Sequence, residues 1–119
     1  MGSDKTKMFA MAIPLLPNKV EEWKKFSHEL LGPRKEAFIA SRKKLGVRER
    51  TFLQHTPHGD LVVVTLEGEN PEEAFKNFSK EDNEFTKWFL HQVNNLHGVD
   101  LSQPPPGPLP TLIIDSGAV

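Results

Sequence analysis

The stretch LVVVTL, residues 61–66, constrains this chain more than any other. Its apolar residues do not alternate with polar ones, so as a strand it is apolar on both faces. A sheet that contains it must be covered on both sides. A chain of 119 residues is one domain by length, and it buries roughly two thirds of its unfolded surface. Its own amphipathic segments supply helices for one face. The least costly cover for the other is a second copy packed sheet against sheet, so the pattern predicts a homodimer.

The elements follow from turn and stop signals. MFAMAIPLL, residues 8–16, reads as a buried strand interrupted or ended by Pro14, which cannot donate to a ladder. In the next segment Val20, Trp23, Phe26, Leu30 and Leu31 share a helical stripe. Asn18 is the expected N-cap and Gly32 the stop. Pro33 then suits the first turn of a second helix, which runs to Leu45 and ends at Gly46. VRERTFLQHT and LVVVTLE form a hairpin around PHGD. Asn70, Pro71 and Glu73 give the next helix a start resembling a capping box. A longer helix covers about 82–97, with Gly98 ending it, and TLIID after the proline-rich segment is expected to be a final strand. The order is βααββααβ, a ferredoxin-like α+β subunit with an antiparallel sheet and helices on one face. Residues 1–7 are expected to be a disordered N-terminal segment, and 8–119 one domain.

Several function classes are disfavoured. Fifteen Lys and Arg against sixteen Asp and Glu give a formal charge of -1, without the clustered positive charge of a nucleic-acid footprint. There is no cysteine, hence no disulfide or thiolate chemistry. No apolar run approaches the ~20 residues of a membrane span, and the N-terminal stretch lacks a hydrophobic signal core. A cytoplasmic protein without nucleic-acid or membrane partners is the expectation. No phosphate-binding or dinucleotide glycine motif occurs.

MFAMAIPLLP, the helix with EEW, the hairpin RERTFLQHTPHGDLVVV and the aromatic-rich EFTKWFLHQV together resemble the dimeric α/β-barrel superfamily, over about residues 8–115. That resemblance implies a pocket between sheet and helices in each subunit, taking a small aromatic or carboxylate-bearing molecule. It also implies three activities to weigh. One is a cofactor-independent enzyme, monooxygenase-like or cyclase-like. Another is a non-catalytic ligand-binding or stress-type module, and a third is a haem protein with His91 as its ligand. No catalytic motif of a named branch transfers residue by residue, and the expected cofactor complement is none.

The polar residues on apolar faces are the site candidates. At about 100 degrees per residue, Phe38, Ser41 and Leu45 fall within about 40 degrees of Arg34, which aims a permanent cation at the core. A buried guanidinium needs carboxylates, carbonyls or an anion. Two readings stand: an internal ion pair with Glu49 or Glu67 or simple snorkelling from the helix end, and an anion clamp at the start of the helix. Arg42, Lys43 and Lys44 read as a solvated helix face. His91 lies beside Trp88 on the flank of the last helix, with Gln92 in its apolar stripe. Glu49 and His55 share one face of their strand, opposite Arg50 and Gln54, and the sequence does not choose which face turns inward. Glu49, His55 and His91 are thus the candidate proton carriers, and Arg34, Ser41, Trp88 and Gln92 the candidate ligand contacts. His28 reads as exposed, and His97 as a cation suited to the helix C-terminus. His55 and His58 bracket the hairpin turn, but no complete metal set is expected.

Overall fold

The computed structural model describes residues 6–105 and 107–117. It shows an α+β fold of three antiparallel strands and four helices. In chain order these are β1 (Lys7–Pro14), α1 (Val20–Leu31), α2 (Lys35–Leu45), β2 (Val47–Thr56), β3 (Gly59–Gly68), α3 (Pro71–Phe78) and α4 (Glu84–His97). The sheet order is β1-β3-β2, so LVVVTL forms the centre. The expected disorder over 1–7 lies outside the described residues for 1–5, whereas Lys7 already pairs with Gly68.

Register sorts the side chains onto two faces. Phe9, Leu66 and Glu49 form one cross-strand row, followed by Met11, Val64 and Thr51, then Ile13, Val62 and Leu53. This face meets the helices: Phe9, Val62 and Leu66 are buried. Glu49 and His55 therefore share the inward face, which resolves the choice the alternation of β2 leaves open. The opposite face carries Ala12, Val63 and Phe52 in one row and Ala10, Thr65 and Arg50 in another. No described helix covers it, and Phe52 is 56% exposed.

The helix ends show where local chemistry acts. Asn18 is not the N-cap of α1; it adopts φ 64, a left-handed conformation that asparagine tolerates, and Lys19 takes the cap position. Asn70 sits at the N-cap of α3 but makes no side-chain cap bond there. Asn83 caps α4 instead, its side-chain oxygen accepting from the Thr86 amide at 2.8 Å. Gly46 closes α2 at φ 74, a conformation costly for other residues. Gly68 has no room for a Cβ against the Gly46 carbonyl, so the α2–β2 corner and the end of β3 pack backbone to backbone.

The expected fourth strand is absent among the described residues. Residues 111–115 form no ladder, and Leu112, Ile113 and Ile114 are 61%, 82% and 85% exposed. Their need for burial predicted a strand, yet none of the described strands pairs with them. The core is built mainly around α4. Leu30, Phe78, Phe85, Phe89 and Val93 form one cluster, and Leu15, Val62 and Leu96 a second. Phe78 meets Phe89 edge to face, with centroids 5.2 Å apart.

Candidate functional site

Between the helices and the inward sheet face lies a cavity of about 580 Å³, within the size range of small-molecule sites. Met11, Ile13, Val62, Val64 and Leu66 make its floor; Trp23 and Leu30 of α1, Phe75 and Phe78 of α3, and Phe89 and Val93 of α4 make its walls. Lys24, His28, Leu31 and Thr51 line it and are exposed, which marks its mouth. The lining is dominated by carbon, with few polar groups.

The first of those is an ion pair. Arg42, 8% exposed, donates from Nε to Glu49 Oε1 at 2.7 Å and from Nη1 to Ser41 Oγ at 2.9 Å. Thr51 Oγ1 donates to the other carboxylate oxygen at 3.2 Å. The guanidinium carbon lies 4.9, 4.6 and 4.9 Å from the ring centroids of Phe38, Phe78 and Phe89. Three aromatic faces and one carboxylate thus compensate a cation that solvent barely reaches. The pair brings no net charge into the cavity.

The second polar group is His97. Its Nδ1 lies 2.8 Å from the Pro14 carbonyl oxygen, and the residue lines the cavity. Burial pushes its pKa below the ordinary histidine value, opposed by the bond to Pro14. Its place in the last turn of α4 is as expected, whereas burial disfavours the cation there. His97 is one turn beyond Val93 on the row Phe85, Phe89, Val93, and that spacing is the signal that marks it as inward-facing.

The sequence candidates are dispersed. Glu49 is in the cavity and Ser41 touches its arginine, but Arg34 is not among the lining residues. Arg34 occupies the N-cap of α2. Its Nε donates to Glu29 at 2.7 Å and its Nη1 to Glu84 at 3.0 Å, while the guanidinium lies 4.1 Å from the centroid of Trp88. The hydrogen bond to Glu29, with Glu84 assisting against desolvation, raises its pKa further. The core-directed arginine is Arg42, the buried exception in a run whose Lys43 and Lys44 are solvent-exposed as expected. Glu49 is the carboxylate partner, with the other arginine. Trp88 and Gln92 are part-buried outside the cavity. His55 has the inward orientation but sits at the hairpin tip, exposed and 2.6 Å from Asp60. His91 is exposed and outside the cavity, so the haem reading loses the ligand it named. Among the described residues no group of three or more His, Asp or Glu is placed to hold a metal. No described helix is long and apolar enough to cross a membrane.

The chain matches no family model, and comparison with curated proteins and with solved structures finds no match.

Proposed function

We propose that this chain is a ligand-binding subunit of a homodimeric, ferredoxin-like α/β barrel, and that it takes a small, neutral, largely aromatic molecule between helices and sheet. The observation that carries this reading is the cavity of about 580 Å³, walled by apolar and aromatic side chains. Arg42 is matched by Glu49 and Arg34 by two surface carboxylates. Neither guanidinium is left to hold an anion, so a carboxylate-bearing ligand has less support than an aromatic one.

The dimer is supported by the bare sheet face. Ala12, Val63 and Phe52 form an apolar row there. The next row on that face holds Ala10, Thr65 and Arg50 and the one beyond it Met8, Glu67 and Arg48, with Arg50 Nη1 3.4 Å from Glu67 Oε1. A second sheet would cover the apolar row. Exposed Leu112, Ile113 and Ile114 add apolar surface for the same purpose.

One pair of measurements tests both parts. Sedimentation is expected to give twice 13.4 kDa, and Phe52→Asp to give a folded monomer. The neutral dye N-phenyl-1-naphthylamine is expected to brighten on binding, and Thr51→Trp, placed at the mouth, to suppress that signal. A parent protein that sediments as a monomer defeats the dimer. A dye that stays dark in the parent defeats the ligand site.

A further inference from the structure

His97 is held by the junction between β1 and α4. Pro14 ends β1, and its carbonyl oxygen accepts from the imidazole Nδ1 at 2.8 Å. The following residues pin the same junction: the Leu15 amide donates to Asp60 and the Leu16 amide to Leu96, both at 2.9 Å. A carbonyl only accepts, so Nδ1 carries the proton. In the neutral ring Nε2 then presents a lone pair. Among the described residues no hydrogen bond reaches Nε2. Lys24, His28 and Thr51 stand at the cavity's mouth; deeper in, the Arg42–Glu49 pair is internally matched and the imidazole keeps one acceptor without a protein partner.

We propose that the cavity selects an aromatic molecule bearing a hydroxyl group, and that His97 Nε2 accepts the hydrogen bond from that hydroxyl. The proposal rests on the ligand-binding reading above and adds the chemical class. An uncharged acceptor in an apolar hollow discriminates by hydrogen bonding. It rewards a phenol, gives nothing to the parent hydrocarbon, and opposes a carboxylate, whose oxygens are acceptors as well. The Pro14 carbonyl is a positioning group, since it fixes which nitrogen is free.

The test compares 2-naphthol with naphthalene, two probes of nearly equal shape, by displacement of N-phenyl-1-naphthylamine. In the parent protein both bind, and the ratio of their dissociation constants favours the naphthol. His97→Phe keeps the apolar volume and removes the acceptor. It is expected to shift that ratio against the naphthol by about fivefold, the size of one net hydrogen bond, while naphthalene affinity stays. His97→Gln, which offers an amide oxygen, restores part of the ratio. A ratio unchanged in His97→Phe overturns the proposal and leaves the ligand site standing. Failure of both probes to bind the parent removes the ligand site itself, and this assignment with it. Should the variants not fold, 15N resonances of the parent decide. The His97 Nε2 signal moves on addition of 2-naphthol and not of naphthalene, and a signal unmoved by bound naphthol overturns the assignment.

Discussion

At the start of α2, Arg34 is gripped by Glu29 and Glu84 and lies over Trp88. Two turns later, Arg42 is gripped by Glu49 and surrounded by three phenylalanine rings. The chemistry is the same at both ends of the helix: a guanidinium, a carboxylate at 2.7 Å and an aromatic face. Burial differs. Glu84 is largely in water, with 76% of its side chain exposed, whereas Arg42 and Glu49 retain 10% and 9%. An ion pair in water is worth little because solvent competes for both partners. In a hollow of carbon, each partner becomes indispensable once the other is present. The surface arginine fastens α2 to α1 and α4, while the buried one defines the polar character of the cavity.

The comparison breaks most sharply at Glu49. Glu49→Ala strands the Arg42 cation in the hollow and is expected to cost about 3 kcal/mol of unfolding free energy, read by urea titration. Removing both charges together, as Arg42→Met with Glu49→Leu, is expected to return stability to within about 1 kcal/mol of the parent. If the double variant is as unstable as the single, burial of an unmatched charge is not the cause. Arg34→Ala is a smaller lesion. It loses two surface ion pairs and a partly exposed ring contact, together about 1 kcal/mol. That loss shrinks at about 1 M salt, where the Debye length is about 3 Å. Salt is expected to leave the Glu49→Ala penalty largely in place; equal screening of the two lesions would mean that burial does not separate the two ends of α2.

The same two residues show how far the sequence could be read. Arg34, Phe38 and Arg42 lie one turn apart, so helical phase alone aims all three at one side of α2. Phase does not tell that Pro33 leaves Arg34 at the cap, where its side chain swings toward the acidic ends of neighbouring helices. A tertiary contact decided that, and Glu84 is fifty positions away in the chain. Glu49 was recognisable as a partner because β2 alternates, but its face awaited the packing of β3. Stop signals at Gly46 and Gly98 were legible because each glycine has the positive φ that few other residues accept. The missing fourth strand was misjudged for a different reason. Leu112 to Ile114 advertise a need for cover, and hydropathy does not say whether that cover belongs to the same chain.

His97 adds the smallest effect, and it concerns protons. Burial holds its pKa in the folded state below the value near 6.5 of the unfolded chain. Between those two values the unfolded state binds more protons, so folding stability rises with pH there. Above about 6.5 both states are neutral at this group, and its contribution is complete. As pH falls below 6.5, stability is lost until the folded-state pKa is passed, and no further. His97→Phe deletes this linkage and keeps the apolar volume. The difference in unfolding free energy between parent and variant is therefore expected to be flat from pH 8 to 7, and to move against the parent as pH drops below 6.5. The carboxylates and the other four histidines are common to both proteins, so to a first approximation they cancel in the difference. A difference that stays flat across the whole range would mean that the imidazole is as well hydrated when folded as when unfolded. In that case water would compete fully for Nε2, which would not stand as the acceptor that the hydroxyl-selective site requires.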